Sequence, residues 1–157
     1  MDRHTPREQF IAALERRPPV GQVPHFELVF YVSKHTDGNI MPIVDELPEA
    51  RPHALHSLDP QAGLDITQVK RLRGHEVCLI GCVDCGLLST GTERQIVDSA
   101  SYALKHGMPG SAYIFSTSNC IHPGLPLARY ELMLDVWRAK GSYPAGPDEG
   151  VTQSPPG

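Results

Sequence analysis

The residues able to do chemistry in this 157-residue chain stand just after its apolar runs: His35, Asp37 and Asn39, then Asp59, then Asp84, then Asn119 and His122. Where strands alternate with helices in a barrel-type fold, the turns after the strands gather at one rim, and that rim carries the chemistry. Asp84 ends the apolar run from Val77 to Val83, which places its carboxylate at a half-buried mouth. There it suits proton transfer or the orientation of a substrate. The competing reading is that it caps the following loop through backbone N–H groups. His122, just ahead of Pro123, suits proton donation, against the plainer reading of a solvated loop histidine. Asn119 joins Asp84 and His122 as a candidate catalytic residue, and Asn39, Asp59 and Asp84 are the candidate substrate-binding groups.

The thiols invite a different chemistry. Cys78-x-x-x-Cys82-x-x-Cys85 has the spacing of a radical iron–sulfur motif. In an extended strand, however, Cys78 and Cys82 point to the same face about 13 Å apart, too far to share a cluster. They read as small buried apolar residues. His53, His56 and His75 show no partner spacing and read as surface or strand-end groups.

The elements that must position these groups repeat. Thr5-Pro6-Arg7-Glu8 opens a helix with a capping box and a proline at its first position, and Pro18-Pro19 is expected to stop it. Residues 26–32 read as a first strand. Ile40 to Ala50 has a helical pattern broken by Pro48, so a short or interrupted helix is expected there. Residues 53–58 form a weak second strand, and Asp65 with Gln68 caps a helix that closes at Gly74. Val77 to Val83 is the third strand, bounded by glycines and apolar on both faces, as in a parallel sheet covered by helices. A Gly-containing loop then leads to a helix from Thr92, with Ile96, Val97, Ala100 and Leu104 on one side. Residues 112–116 are the fourth strand. The last helix carries Tyr130, Met133, Leu134 and Trp137 and stops near Gly141. The fold class is therefore α/β: an incomplete (β/α) barrel, a half-barrel of about four parallel strands with outer helices. It is expected to occupy residues 1–143, followed by a disordered Pro- and Gly-rich tail from 144 to 157.

A net charge of -4 leaves no electrostatic footprint for nucleic acid. The chain has no long apolar run for a membrane span and no signal-peptide core at its start, so a cytoplasmic protein with free thiols is expected. An open half-barrel exposes sheet edges and one apolar face, and a homodimer could cover both by completing the barrel.

Several stretches resemble the uroporphyrinogen decarboxylase superfamily, which includes the corrinoid (methylcobamide to coenzyme M) methyltransferases. They are His35-Thr-Asp-Gly-Asn39, Leu58-Asp-Pro-Gln-Ala-Gly-Leu-Asp65, Val69-Lys70, Cys78-Leu-Ile-Gly-Cys-Val-Asp84, Gly91-Thr92 and Ser118-Asn-Cys-Ile-His-Pro-Gly-Leu-Pro126. Arg7-Glu8 and Val23-Pro24 are similar to the family's opening helix and strand. The resemblance implies a chain internally truncated, with the first strand joined almost directly to the second half of a barrel. It implies one of two activities: cofactor-free decarboxylation of tetrapyrrole carboxylates, or zinc-assisted methyl transfer with a corrinoid protein. The family's His-x-Cys plus distant Cys zinc site would fall on His35, Asp37 and Cys120, with Asp in place of the first Cys and Asn119 at the third place. The segment that grips substrate carboxylates in the decarboxylases has no match here. A non-catalytic remnant or partner-binding module is therefore the alternative from another class.

Overall fold

The computed structural model describes residues 5–17, 22–23, 38–50 and 52–143. The expected first strand at 26–32, the residues His35 and Asp37, and the tail from Pro144 lie outside the described residues. Within them, three strands form one parallel sheet in the order β1-β2-β3: β1 Ala54–Leu58, β2 Cys78–Val83 and β3 Tyr113–Thr117. Each βα connection passes through helices on one side of the sheet. These are α2 Ile66–Arg73, the pair α3 Cys85–Thr90 and α4 Glu93–Gly107, and α5 Leu127–Lys140. A further helix, α1 Pro6–Leu14, precedes them.

The helices begin where their caps dictate. Thr5 and Glu8 form the expected capping box on α1, and Thr92 with Gln95 forms another on α4. Asp65 caps α2 by accepting from the Thr67 N–H at 2.9 Å, while Gln68 stays exposed and takes no part. Helix α1 ends at Leu14, ahead of the prolines, because Arg16 turns into the left-handed region (φ 52°). Between residues 41 and 50 the proline-broken pattern resolves into two 3-10 turns, Met41–Ile43 and Leu47–Ala50. The loop expected between Asp84 and Thr92 contains the short helix α3. Its apolar Leu88 is fully buried, and its first turn is capped by Asp84, so six residues suffice.

Alternation along the strands divides the core. Leu79, Val83, Tyr113 and Phe115 face the helices and pack with Ile66, Val69, Ile96, Ala100, Leu104, Met133 and Val136. Cys78, Ile80, Ala112 and Ile114 face the other way, toward Ala13 and Leu14 of α1. The side that a closed barrel would turn inward is thus covered by the chain's own first helix. The expectation that Cys78 and Cys82 share a face does not hold. Gly81 (φ 108°) and Cys82 (φ 79°) break the extended backbone, and Cys82 swings into the helix-facing core. A matching bulge in β1, with Ser57 at φ 63°, shifts the register between Leu55 and Leu58. Both strands therefore bend just before their C-terminal ends, as bulges do beside functional rims. Tyr113, fully buried, ties the bend down by donating from its hydroxyl to Gly81 O at 2.8 Å.

Candidate functional site at the strand ends

The turns after β1, β2 and β3 meet in one hydrogen-bonded network. Asp59 follows β1 and caps the 3-10 turn Pro60–Ala62, its Oδ1 accepting from the Gln61 N–H at 3.1 Å. The side chain of Gln61 crosses to the next turn, where Nε2 donates to Asp84 Oδ1 at 2.9 Å. The same oxygen accepts the N–H groups of Gly86 at 2.7 Å and Leu87 at 3.2 Å. The Asp84 N–H donates to Ser99 Oγ of α4 at 3.1 Å. From the second turn the network reaches the third. The Cys85 N–H donates to Ser118 Oγ at 3.3 Å, and the Cys85 thiol donates to Asn119 O at 3.2 Å. Thr117 Oγ1 also donates to Asn119 O at 2.6 Å, and Asn119 Oδ1 accepts the N–H of Cys120 at 2.7 Å.

Asp59, Asp84 and Asn119 are therefore brought together, by way of Gln61 and Cys85. Asp84 does what its competing reading required: it caps a helix, with one carboxylate oxygen accepting three hydrogen bonds. Asn39 stands beside the first turn, with Nδ2 at 4.0 Å from where a Cβ on Gly63 would sit, and its Oδ1 accepts the Met41 N–H. His122 is exposed on the third turn. Its Nδ1 accepts the Gly124 N–H at 3.2 Å, which puts the proton of the neutral ring on Nε2. Cys120 is half-buried on the same turn. His35 and Asp37 lie outside the described residues, and among those described no group of three His, Cys, Asp or Glu side chains could hold a metal.

Gln61, Ser99, Cys85 and Ser118 are the members of this network that sequence reasoning missed. Each joins a partner at least 15 residues away, and neither spacing nor residue type announces such a bond. Asp84 also lines a cavity of about 400 Å³ between the β1 turn and α4, with Leu64, Asp65, Cys82, Asp98 and Tyr102. Burial raises the Asp65 carboxyl, but hydrogen bonds from Thr67 and the Tyr102 hydroxyl outweigh it and hold the group below the usual carboxylate range. The lining carries three aspartates and, among the described residues, no lysine or arginine. Arg129, the nearest cation by sequence to the third turn, is turned to the carbonyls of Leu87, Leu88 and Gly91 at the end of α3. A larger cavity of about 820 Å³ opens at the opposite end of the sheet, between α1 and the starts of β1 and β2, away from the rim.

A parallel sheet backed by helices, with its polar turns linked along the C-terminal rim, defines a partial barrel of the TIM type. The family model described as uroporphyrinogen decarboxylase (URO-D) matches residues 7–139, and the chain belongs to that family. That match runs from the opening helix through the last helix, and the short chain of 157 residues is consistent with truncation. No curated protein matches the chain. Among the described residues no helix is long and apolar enough to cross a membrane.

Proposed function

We propose that this member of the uroporphyrinogen decarboxylase family works in zinc-assisted methyl transfer with a corrinoid protein as partner, not in tetrapyrrole decarboxylation. The observation that carries the reading is the chemistry of the described rim, which offers two half-buried thiols and carboxylates and no lysine or arginine. A substrate bearing several carboxylates needs cationic partners when it is desolvated. A soft metal needs thiolate and imidazole.

Cys120 would hold zinc together with His35 and Asp37, and a fourth position would remain for an incoming thiol. Bound there, zinc would keep that thiol as the thiolate that accepts a methyl group. The chain's own contribution is to fix the turn. Asn119 Oδ1 holds the backbone of Cys120, and Thr117 Oγ1 holds the backbone of Asn119, so the Cys120 side chain starts from a set position at the rim. Asp84 and Gln61 brace the neighbouring turn.

Metal analysis tests the reading directly. The purified full chain is expected to carry about one zinc per molecule, and Cys120→Ser and His35→Ala are each expected to lose most of it. A wild-type protein that binds no zinc, or one that decarboxylates uroporphyrinogen in a spectroscopic assay, would overturn it.

A further inference from the structure

The four cysteines fall into two pairs with opposite surroundings. Cys78 and Cys82 are buried in the sheet, and burial pushes both thiols up to about 12, which keeps them protonated and inert. Cys85 and Cys120 are half-buried at the rim, on adjacent turns. The Cys85 Sγ already lies 3.2 Å from the carbonyl oxygen of Asn119, the residue that precedes Cys120. A peptide oxygen stands roughly 2.8 Å from the next Cα in a planar trans unit, so the Cys85 sulfur is within about 6 Å of the Cys120 Cα. Each thiol follows the last residue of its strand by only a few positions, so parallel strand ends hold them side by side.

From this juxtaposition we infer that Cys85 and Cys120 form a reversible intramolecular disulfide, an oxidation site that ties the second rim turn to the third. The bond exchanges with a low-molecular-weight disulfide such as oxidised glutathione. One rim thiolate attacks the small disulfide, giving a mixed disulfide and releasing one small thiol. The other rim thiolate then attacks the protein sulfur and releases the second small thiol. The two protein thiols lose two electrons and two protons in all, and the small disulfide takes both up as two thiols. The S–S bond needs the two Cα atoms at about 4.4–6.8 Å, which a small shift of the turn at 120–124, exposed from His122 to Gly124, supplies without moving the sheet. The inference stands on the thiol geometry and not on zinc. If Cys120 is also the zinc ligand, the same oxidation would release the metal.

The test is a disulfide map of the native full chain after incubation with oxidised glutathione. The expected product is an intramolecular link between residues 85 and 120, lowering the mass by about 2 Da from the loss of two hydrogens. It should be reversed by dithiothreitol, with Cys78 and Cys82 alkylated only after denaturation. Cys85→Ser and Cys120→Ser should each stop at one glutathione adduct on the remaining rim thiol. Stable adducts on both rim cysteines of the wild type without a link, or a link that uses Cys78 or Cys82, would overturn the inference. Zinc content is read separately, so loss of the zinc reading leaves this outcome intact.

Discussion

Burial of thiols and amines sets how this protein responds to alkali. Unfolded Cys78 and Cys82 would lose their protons near 9.0, while in the fold burial holds them to about 12. The folded state therefore binds more protons between these values, and stability falls as the pH rises from 9 to 12. Each thiol contributes about 1.4 kcal/mol per pH unit at full effect. Lys70 acts in the opposite sense. Burial lowers its amine from 10.5 to about 8, so the folded state gives up that proton first and gains stability between those values. The two effects partly offset each other up to about 10.5, and above it the thiols act unopposed. Tyr113 and Tyr143, both raised by burial, add to the loss. Urea midpoints under reducing conditions are thus expected to fall most steeply above about pH 10.5. Cys78→Ala should flatten that fall; an equally steep decline in the variant would show that the buried thiol is not its source.

Among the elements, α3 depends most on its neighbours. Six residues cannot hold a helix alone. Its start is held by Asp84, which takes up N–H groups of the first turn, and its end by Arg129, which donates to three carbonyls from the first turn of α5. A guanidinium so placed satisfies groups that a helix terminus leaves open. Arg129→Ala should cost about 2 kcal/mol. Hydrogen exchange should show the loss concentrated in residues 85–91, with α4 largely unchanged. A uniform rise in exchange across both helices would mean that α3 is not a separate unit. Because α3 carries Cys85 at its first position, the same change loosens the contact between the second and third rim turns.

Among the described residues the molecule is a sheet with two covers. Helices α2, α4 and α5 cover one face, and α1 lies against the other through Ala13 and Leu14. The homodimer expected from the sequence rests on open sheet edges as well as an apolar face, and among the described residues Ala13 and Leu14 of α1 pack on that face. What still favours a second copy is the pair of outer strands: among the described residues β1 and β3 each have a single partner. Ala13→Asp places a carboxylate against Cys78, Ile80 and Ile114 and should cost several kcal/mol. It should also raise the binding of a hydrophobic dye and the mass found by light scattering, as the sheet face comes free. A variant as stable and as monodisperse as the wild type would show that α1 is not the cover.

Much of this was legible in one dimension. Capping boxes, the apolar run of β2 and the spacing of Ile96, Ala100 and Leu104 placed the strands and helices, because they are local consequences of period and capping. The turns that carry Asp59, Asp84 and Asn119 followed from the same alternation, since parallel strands send successive turns to one rim. Helix α3 was hidden, because its stability comes from Arg129, some 40 residues later. The face taken by Cys82 was hidden too, because a positive φ at Gly81 and Cys82 cancels the alternation on which a strand reading depends. The links Gln61 to Asp84 and Cys85 to Asn119 exist only once the turns are side by side. The sequence by itself determined the three described strands, the helices α2, α4 and α5, and which end of the sheet is polar. Only the tertiary structure decided how the polar groups are spent, because a side-chain hydrogen bond depends on a distance of about 3 Å that no spacing along the chain encodes.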